Sequence, residues 1–153
     1  MMELLKTAVK QPLKVNQLQL SAAFTPSFEA GFHVNMEGPK AAVRDGSVFE
    51  YCRLTDTVIQ AWSALQHGYF KGNFVGKEEF AALNHVLNDL AKKYQVTPTA
   101  IALAWVLRYP GKMQAVIGTT KPQHVLEAGK AATVTLTRKE WYQIYLAAGN
   151  DLP

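Results

Sequence analysis

The turn Gly118-Thr119-Thr120-Lys121 gathers the residue types that hold a phosphate: a glycine that lets backbone approach closely, two hydroxyls and a cation. Pro122 follows at a position suited to the first turn of a helix, and Thr120 is placed to cap that helix, with Gln123 three residues on. His124 and Glu127 continue along the same helix face. Read alone, the set serves equally as an ordinary helix start. Trp62, at the end of a predicted strand, either packs or offers a flat indole to a planar heterocycle. Gln17 puts an amide on another predicted strand, as a loop contact or as a ligand contact. No complete reaction centre accompanies these groups. The histidines His33, His67, His85 and His124 do not fall at zinc spacings, so no metal site is expected. A G-x-S-x-G elbow is missing, and Glu50 and Asp56 flank a strand on its amino side, away from the ends where paired carboxylates would act.

The elements that must position these residues centre on residues 98–132. Thr97 and Pro98 read as the cap and first residue of a helix running to about residue 109. Its sequence IALAWVLRY is apolar on almost every side, which predicts a helix wedged between other elements. A short strand over residues 115–117, the Gly-Thr-Thr-Lys turn and a helix from Pro122 complete the stretch. Helix, strand and helix in that order predict an α/β layer with a mostly parallel sheet, whose ligands bind beyond the carboxyl ends of the strands.

Upstream, residues 2–9 show helical spacing without a cap, the tail of a helix expected to begin before Met1 and a first sign of truncation. Residues 14–20 alternate as a strand with Val15, Gln17 and Gln19 on one face. Residues 22–56 carry Pro26, Gly31, Gly38, Pro39 and Gly46 and read as a long excursion, with one helical turn over residues 36–43. There Phe24, Phe28 and Phe32 either close over a ligand or pin the loop to its own scaffold. Residues 57–62 form a second strand, followed by a loop marked by Gly68, Gly72, Asn73 and Gly76. Residues 79–94 repeat apolar side chains at steps of three and four, an amphipathic helix. Thr137 and Glu140 form a capping box for a last helix that covers the core with Trp141, Ile144, Tyr145 and Ala148.

At 153 residues, 48% hydrophobic and 18% charged, the chain has the length and composition of one folded domain. Its net charge of +4 comes from 16 basic and 12 acidic residues without aromatic interleaving, which argues against nucleic acid as partner. Cys52 is the single cysteine and suits a reducing compartment. With no secretory signal and no apolar run of bilayer length, a soluble cytoplasmic protein without membrane partners is expected.

The ordered motifs VNQLQLS, VIQAWSALQHG, VTPTAIALAWVLRYP and AVIGTTKPQHVLEA resemble the carboxyl-terminal half of an aldo-keto reductase, and are similar to the bacterial predicted-oxidoreductase branch whose seventh strand ends in Trp-Ser. The resemblance implies a partial (β/α)8 TIM barrel in which residues 1–153 supply strands six to eight and their helices. It also implies NADPH as cofactor for reduction of aldehydes or ketones by hydride transfer. Carried over residue by residue, Gln17 would hold the nicotinamide carboxamide and Trp62 would stack beneath the ring. Ser63, Leu65 and Gly68 would line the pyrophosphate. Gly118, Thr119, Thr120 and Lys121 would surround the 2'-phosphate, with His124 in place of the usual arginine and Glu127 facing the adenine amino group. A neutral imidazole lacks the charge and fork of guanidinium, so NADH stays open beside NADPH. Ala128 and Gln19 stand where the family often has asparagine and glutamate.

The family's catalytic tyrosine, aspartate, lysine and histidine belong to its first four strands, and neither Tyr51 nor Tyr69 has neighbours that would replace them. The resemblance therefore implies no catalytic residue here, a carbonyl substrate only in a full-length parent, and an isolated chain without activity. A three-stranded parallel arc leaves two open edges, so self-association or a missing amino-terminal half is expected. The alternative is a non-catalytic module that binds a nucleotide or packs against a partner.

Overall fold

The computed structural model describes residues 2–25, 47–67 and 72–152. Three parallel strands, β1 (Val15–Gln19), β2 (Val58–Trp62) and β3 (Met113–Ala115), lie in the order β1-β2-β3. Among the described residues six α-helices accompany them: α1 (Met2–Lys6), α2 (Ser47–Leu54), α3 (Ala81–Tyr94), α4 (Pro98–Leu107), α5 (Pro122–Gly129) and α6 (Arg138–Ala147). Single 3-10 turns, Glu78–Phe80 and Lys130–Thr133, precede α3 and follow α5.

The wedged helix is α4. Every residue from Ala100 through Val106 is buried, and α4 packs against α3, α5, β3 and the 3-10 turn after α5. Thr97 caps it by accepting from the Ala100 N–H at 3.2 Å, with Pro98 in the first turn as predicted. Where α4 meets α6, the Trp105 and Trp141 rings stack 4.8 Å apart, 9° from parallel. Each indole N–H donates to the other residue's carbonyl, at 3.0 and 3.1 Å, so both polar groups enter the core satisfied. The capping box on α6 is present, with Thr137 and Glu140 bonding reciprocally.

Strand alternation divides the sheet into two unlike faces. Ile59 and Ala61 are buried in the core with Leu18 packed beside them, whereas Val15, Gln17 and Gln114 are exposed on the other face. Parallel sheets are normally covered on both faces. Among the described residues only one face is.

Several expectations shift. The third strand begins two residues earlier than read, at Met113, because its register is set by β2: Met113 lies opposite Ile59 and Ala115 opposite Ala61, so Met113 and Ala115 turn toward the helices and Gln114 away. Pairing continues one residue past the strand, with the Val116 N–H donating to the Ala61 carbonyl at 2.9 Å. The excursion over residues 22–56 contains α2, missed because its apolar contacts, Phe49 and Cys52, follow directly on the glycine-rich stretch. The helix predicted over residues 2–9 forms as α1 but buries no side chain; Glu3 and Lys6 instead meet the Tyr51 hydroxyl. The helical turn over residues 36–43 and the Phe28 and Phe32 cluster lie outside the described residues.

The loop after β2 is fastened by a residue the sequence did not single out. Asn84, buried on α3, donates through Nδ2 toward the carbonyls of Phe74, Lys77 and Phe80 at 3.0, 3.0 and 3.1 Å. Its Oδ1 accepts from the Gly76 N–H at 2.7 Å. Gly76 has φ +78°, a conformation that favours glycine.

Candidate functional site

The carboxyl tips of the three strands stand side by side. Gln19 is level with Trp62 in the β1–β2 register, and Ala61 with Ala115 in the β2–β3 register. The chain leaves each tip into a turn, the arrangement in which α/β sheets place ligands.

Trp62 closes β2 and is half-buried. Ser63 follows with φ +55°, unusual for a residue with a Cβ, and its hydroxyl donates to the Gln66 side chain at 2.9 Å. Leu65 is half-buried and its carbonyl accepts from the Phe74 N–H at 3.1 Å, tying this turn to the loop fastened by Asn84. Gly68 lies outside the described residues.

On the bare face the structure joins three amides the sequence left separate. Gln17 lies opposite Gln60, and Gln60 opposite Gln114. Gln17 Nε2 donates to Gln60 Oε1 at 2.8 Å, and Gln60 Nε2 donates to Gln114 Oε1 at 2.9 Å. Only the inter-strand register brings these residues together, and no spacing within the chain encodes it.

At the third tip the turn differs from the expected one. The N-cap of α5 is Lys121, not Thr120, and no side chain caps it. The reason is local: the Lys121 N–H donates to Thr119 Oγ1 at 3.2 Å, which folds the turn back on itself and delays helix entry by one residue. Gln123 makes no capping box and instead donates to Glu127 Oε1 at 3.1 Å. Thr119 Oγ1 also lies 3.4 Å from His124 Nδ1. Thr120, Lys121 and His124 are exposed, Glu127 is half-exposed, and a Cβ built on Gly118 would meet nothing within 4 Å. Among the described residues no ion pair includes Lys121. The start of α5 therefore combines uncapped first-turn N–H groups with an exposed hydroxyl, imidazole and ammonium on neighbouring residues.

Away from this region, two titratable groups near the strands and on α3 are paired with neighbouring side chains. Asp56, at the amino side of β2, pairs with Lys112 at 2.5 Å, and that ammonium holds its carboxyl below the usual range. His85 is exposed beside Asp89 on α3. Among the described residues no group of three His, Cys, Asp or Glu side chains converges on a metal position, and no helix is long and apolar enough to cross a membrane.

A parallel sheet with helices against one face and polar residues at its strand ends defines an α/β protein of the type that binds ligands at the strand tips. The aldo/keto reductase family model matches residues 8–147, and the chain belongs to that family. It is 31% identical over 151 residues to 6-dehydroglucose reductase of Agrobacterium fabrum, covering 97% of this chain and 43% of that protein. It is 33% identical over 95 residues to the oxidoreductase YdhF of Escherichia coli, covering 61% of this chain and 30% of that protein. A crystal structure of the thermostable aldo-keto reductase Tm1743 with the inhibitor epalrestat aligns with a TM-score of 0.63 at 20% identity, over 95% of this chain and 44% of that one. A Gox0644 variant in complex with NADPH aligns with a TM-score of 0.56 at 18% identity, over 95% and 42%. The fold is thus that of aldo-keto reductases, and the chain spans less than half the length of these relatives.

Proposed function

We propose that residues 1–153 form the cofactor-gripping, carboxyl-terminal part of an NADPH-dependent oxidoreductase that reduces aldehydes or ketones, contributing strands six to eight of a (β/α)8 barrel. The observation that carries this reading is the start of α5, where a helix with no side-chain cap meets an exposed lysine that has no ion pair among the described residues. Free N–H groups at a helix N-terminus and a nearby ammonium are what a phosphate dianion requires, and the open space around Gly118 lets it approach. Gly118, Thr119, Thr120, Lys121 and His124 would hold the adenosine 2'-phosphate, with Glu127 toward the adenine. Gln17 would hold the nicotinamide carboxamide, Trp62 would lie under the ring, and Ser63 and Leu65 would line the pyrophosphate.

When bound, the nicotinamide supplies a hydride to a carbonyl carbon. The residues described here bind and orient; none of them is placed to donate the proton that the developing alkoxide needs. The carbonyl substrate, and a partner for the open sheet edges, belong in this reading to a second half of the barrel or to a second copy of the chain.

Titration with NADPH followed by tryptophan emission tests the reading. NADPH is expected to quench emission saturably, Trp62→Phe is expected to remove that response, and the 153-residue chain is expected to bind without steady carbonyl turnover. Absence of binding would overturn the reading in favour of a scaffold or interaction module, and an unchanged response in Trp62→Phe would remove Trp62 from the site.

A further inference from the structure

The amide ladder across the bare sheet face has a property that its separate residues lack. An isolated, exposed glutamine flips freely between presenting its carbonyl and its NH2 group. In the ladder each amide's orientation is coupled to the next: Gln114 Oε1 accepts from Gln60, and Gln60 Oε1 accepts from Gln17. Three amides in register across strands about 4.8 Å apart keep this coupling without strain. Turning one amide would place carbonyl against carbonyl or NH2 against NH2, so the three turn together or not at all. In the sense the ladder takes here, Gln17, at the β1 edge, presents its Oε1 as an acceptor with one of its N–H groups already committed.

We propose that Gln60 and Gln114 are positioning residues that aim the Gln17 carbonyl at the NH2 group of the nicotinamide carboxamide. The inference rests on the assignment of Gln17 made above and extends it to two residues that would not touch the cofactor. A pre-aimed acceptor saves the ordering that a free glutamine would undergo on binding. It also makes the contact selective for a group that donates, since Oε1 can only accept.

The experiment compares two ligands, NADPH and adenosine 2',5'-bisphosphate, by calorimetry on Gln17→Leu, Gln60→Leu, Gln60→Glu and Gln114→Leu variants of the whole chain. Gln17→Leu and Gln60→Leu are each expected to weaken NADPH roughly fivefold, the equivalent of one ordinary hydrogen bond. Gln60→Glu keeps an oxygen opposite Gln17 Nε2 and is expected to retain most of the affinity. Adenosine 2',5'-bisphosphate, which has no nicotinamide, should bind all variants alike. NADPH binding to Gln60→Leu at the parent affinity, with Gln17→Leu weakened, would overturn the ladder's role and leave the Gln17 assignment standing. Parent affinity in Gln17→Leu would overturn that assignment and the proposal with it. Equal weakening of both ligands by Gln60→Leu would mean a structural role and would also overturn the proposal. Should Gln60→Leu fail to fold, Gln114→Leu decides by the same ratio, with about a twofold loss of NADPH expected and none overturning it.

Discussion

The contact between α4 and α6 and the start of α5 lie on adjoining elements and follow opposite rules. At the first, the indole N–H groups of Trp105 and Trp141 are bonded reciprocally and their rings stacked. At the second, an uncapped helix start, an exposed lysine and an exposed histidine are left facing outward. The difference separates what holds the chain folded from what is available to a ligand. Substitutions in the first region should cost stability, and those in the second should cost affinity. Trp105→Ala breaks the first rule most severely, because it opens a core cavity, removes the ring stacked on Trp141 and leaves the Trp141 carbonyl without the indole N–H it accepts from. A loss of about 3–5 kcal/mol is expected in urea unfolding, and a loss below 1 kcal/mol would mean that the stacked pair does not anchor the helical layer.

Glu140 extends the same region to its charged groups. Glu140 is 6% exposed, and its carboxylate receives Lys93 Nζ at 2.5 Å, the Tyr94 hydroxyl at 2.8 Å, and the Thr137 N–H and hydroxyl, each at 2.8 Å. Burial alone would raise its pKa; the bonds from Lys93, Thr137 and Tyr94 outweigh burial and bring it to about 2. A pKa depressed in the folded state means that the unfolded chain takes up the proton first as pH falls. The stabilisation is therefore complete above the ordinary carboxylate value of 4.5 and is lost as pH falls toward about 2. At roughly 1.4 kcal/mol per pKa unit this amounts to about 3 kcal/mol. Urea midpoints measured from pH 5 down to pH 2 should fall for the parent chain, with this component of the slope missing in Glu140→Gln. Parallel slopes for the two proteins would show that the carboxylate carries no such linkage.

What was legible in the sequence divides along the reach of each signal. Thr97-Pro98 and Thr137 with Glu140 mark helix starts within four residues of chain, and the all-apolar run of α4 announces its burial directly. The partners of Glu140 on α3, Lys93 and Tyr94, are 47 and 46 residues away, and only packing brings them there. The same holds for Gln17, Gln60 and Gln114, separated by 43 and 54 residues. At the start of α5 the local signal is divided: two adjacent threonines compete, and the hydroxyl of Thr119 takes the Lys121 N–H, which leaves Thr120 outside the cap. Asn84 went unnoticed because an asparagine among the apolar positions of a helix gives no hint of the loop carbonyls it will meet. The motif residues near the ends of β1, β2 and β3 follow from family resemblance and from no local signal, and the parallel order of the strands sets those ends side by side.

The smallest effect on stability should come from the region left open. Lys121 is exposed, and among the described residues it has no ion pair; its side chain caps nothing. Replacing it with alanine should change unfolding free energy by no more than about 0.5 kcal/mol. If its ammonium faces a 2'-phosphate, the same change should weaken NADPH roughly tenfold or more, the range of a charge-assisted hydrogen bond, while leaving NADH nearly unaffected. Raising salt should narrow the gap between parent and variant, since an exposed charge pair is screened. His124→Ala supplies the companion measurement, because an imidazole that shares the phosphate adds to the same preference without adding to stability. Equal loss of NADPH and NADH in Lys121→Ala would mean that the lysine acts on a phosphate common to both cofactors, and a large loss of stability would erase the division between scaffold and site.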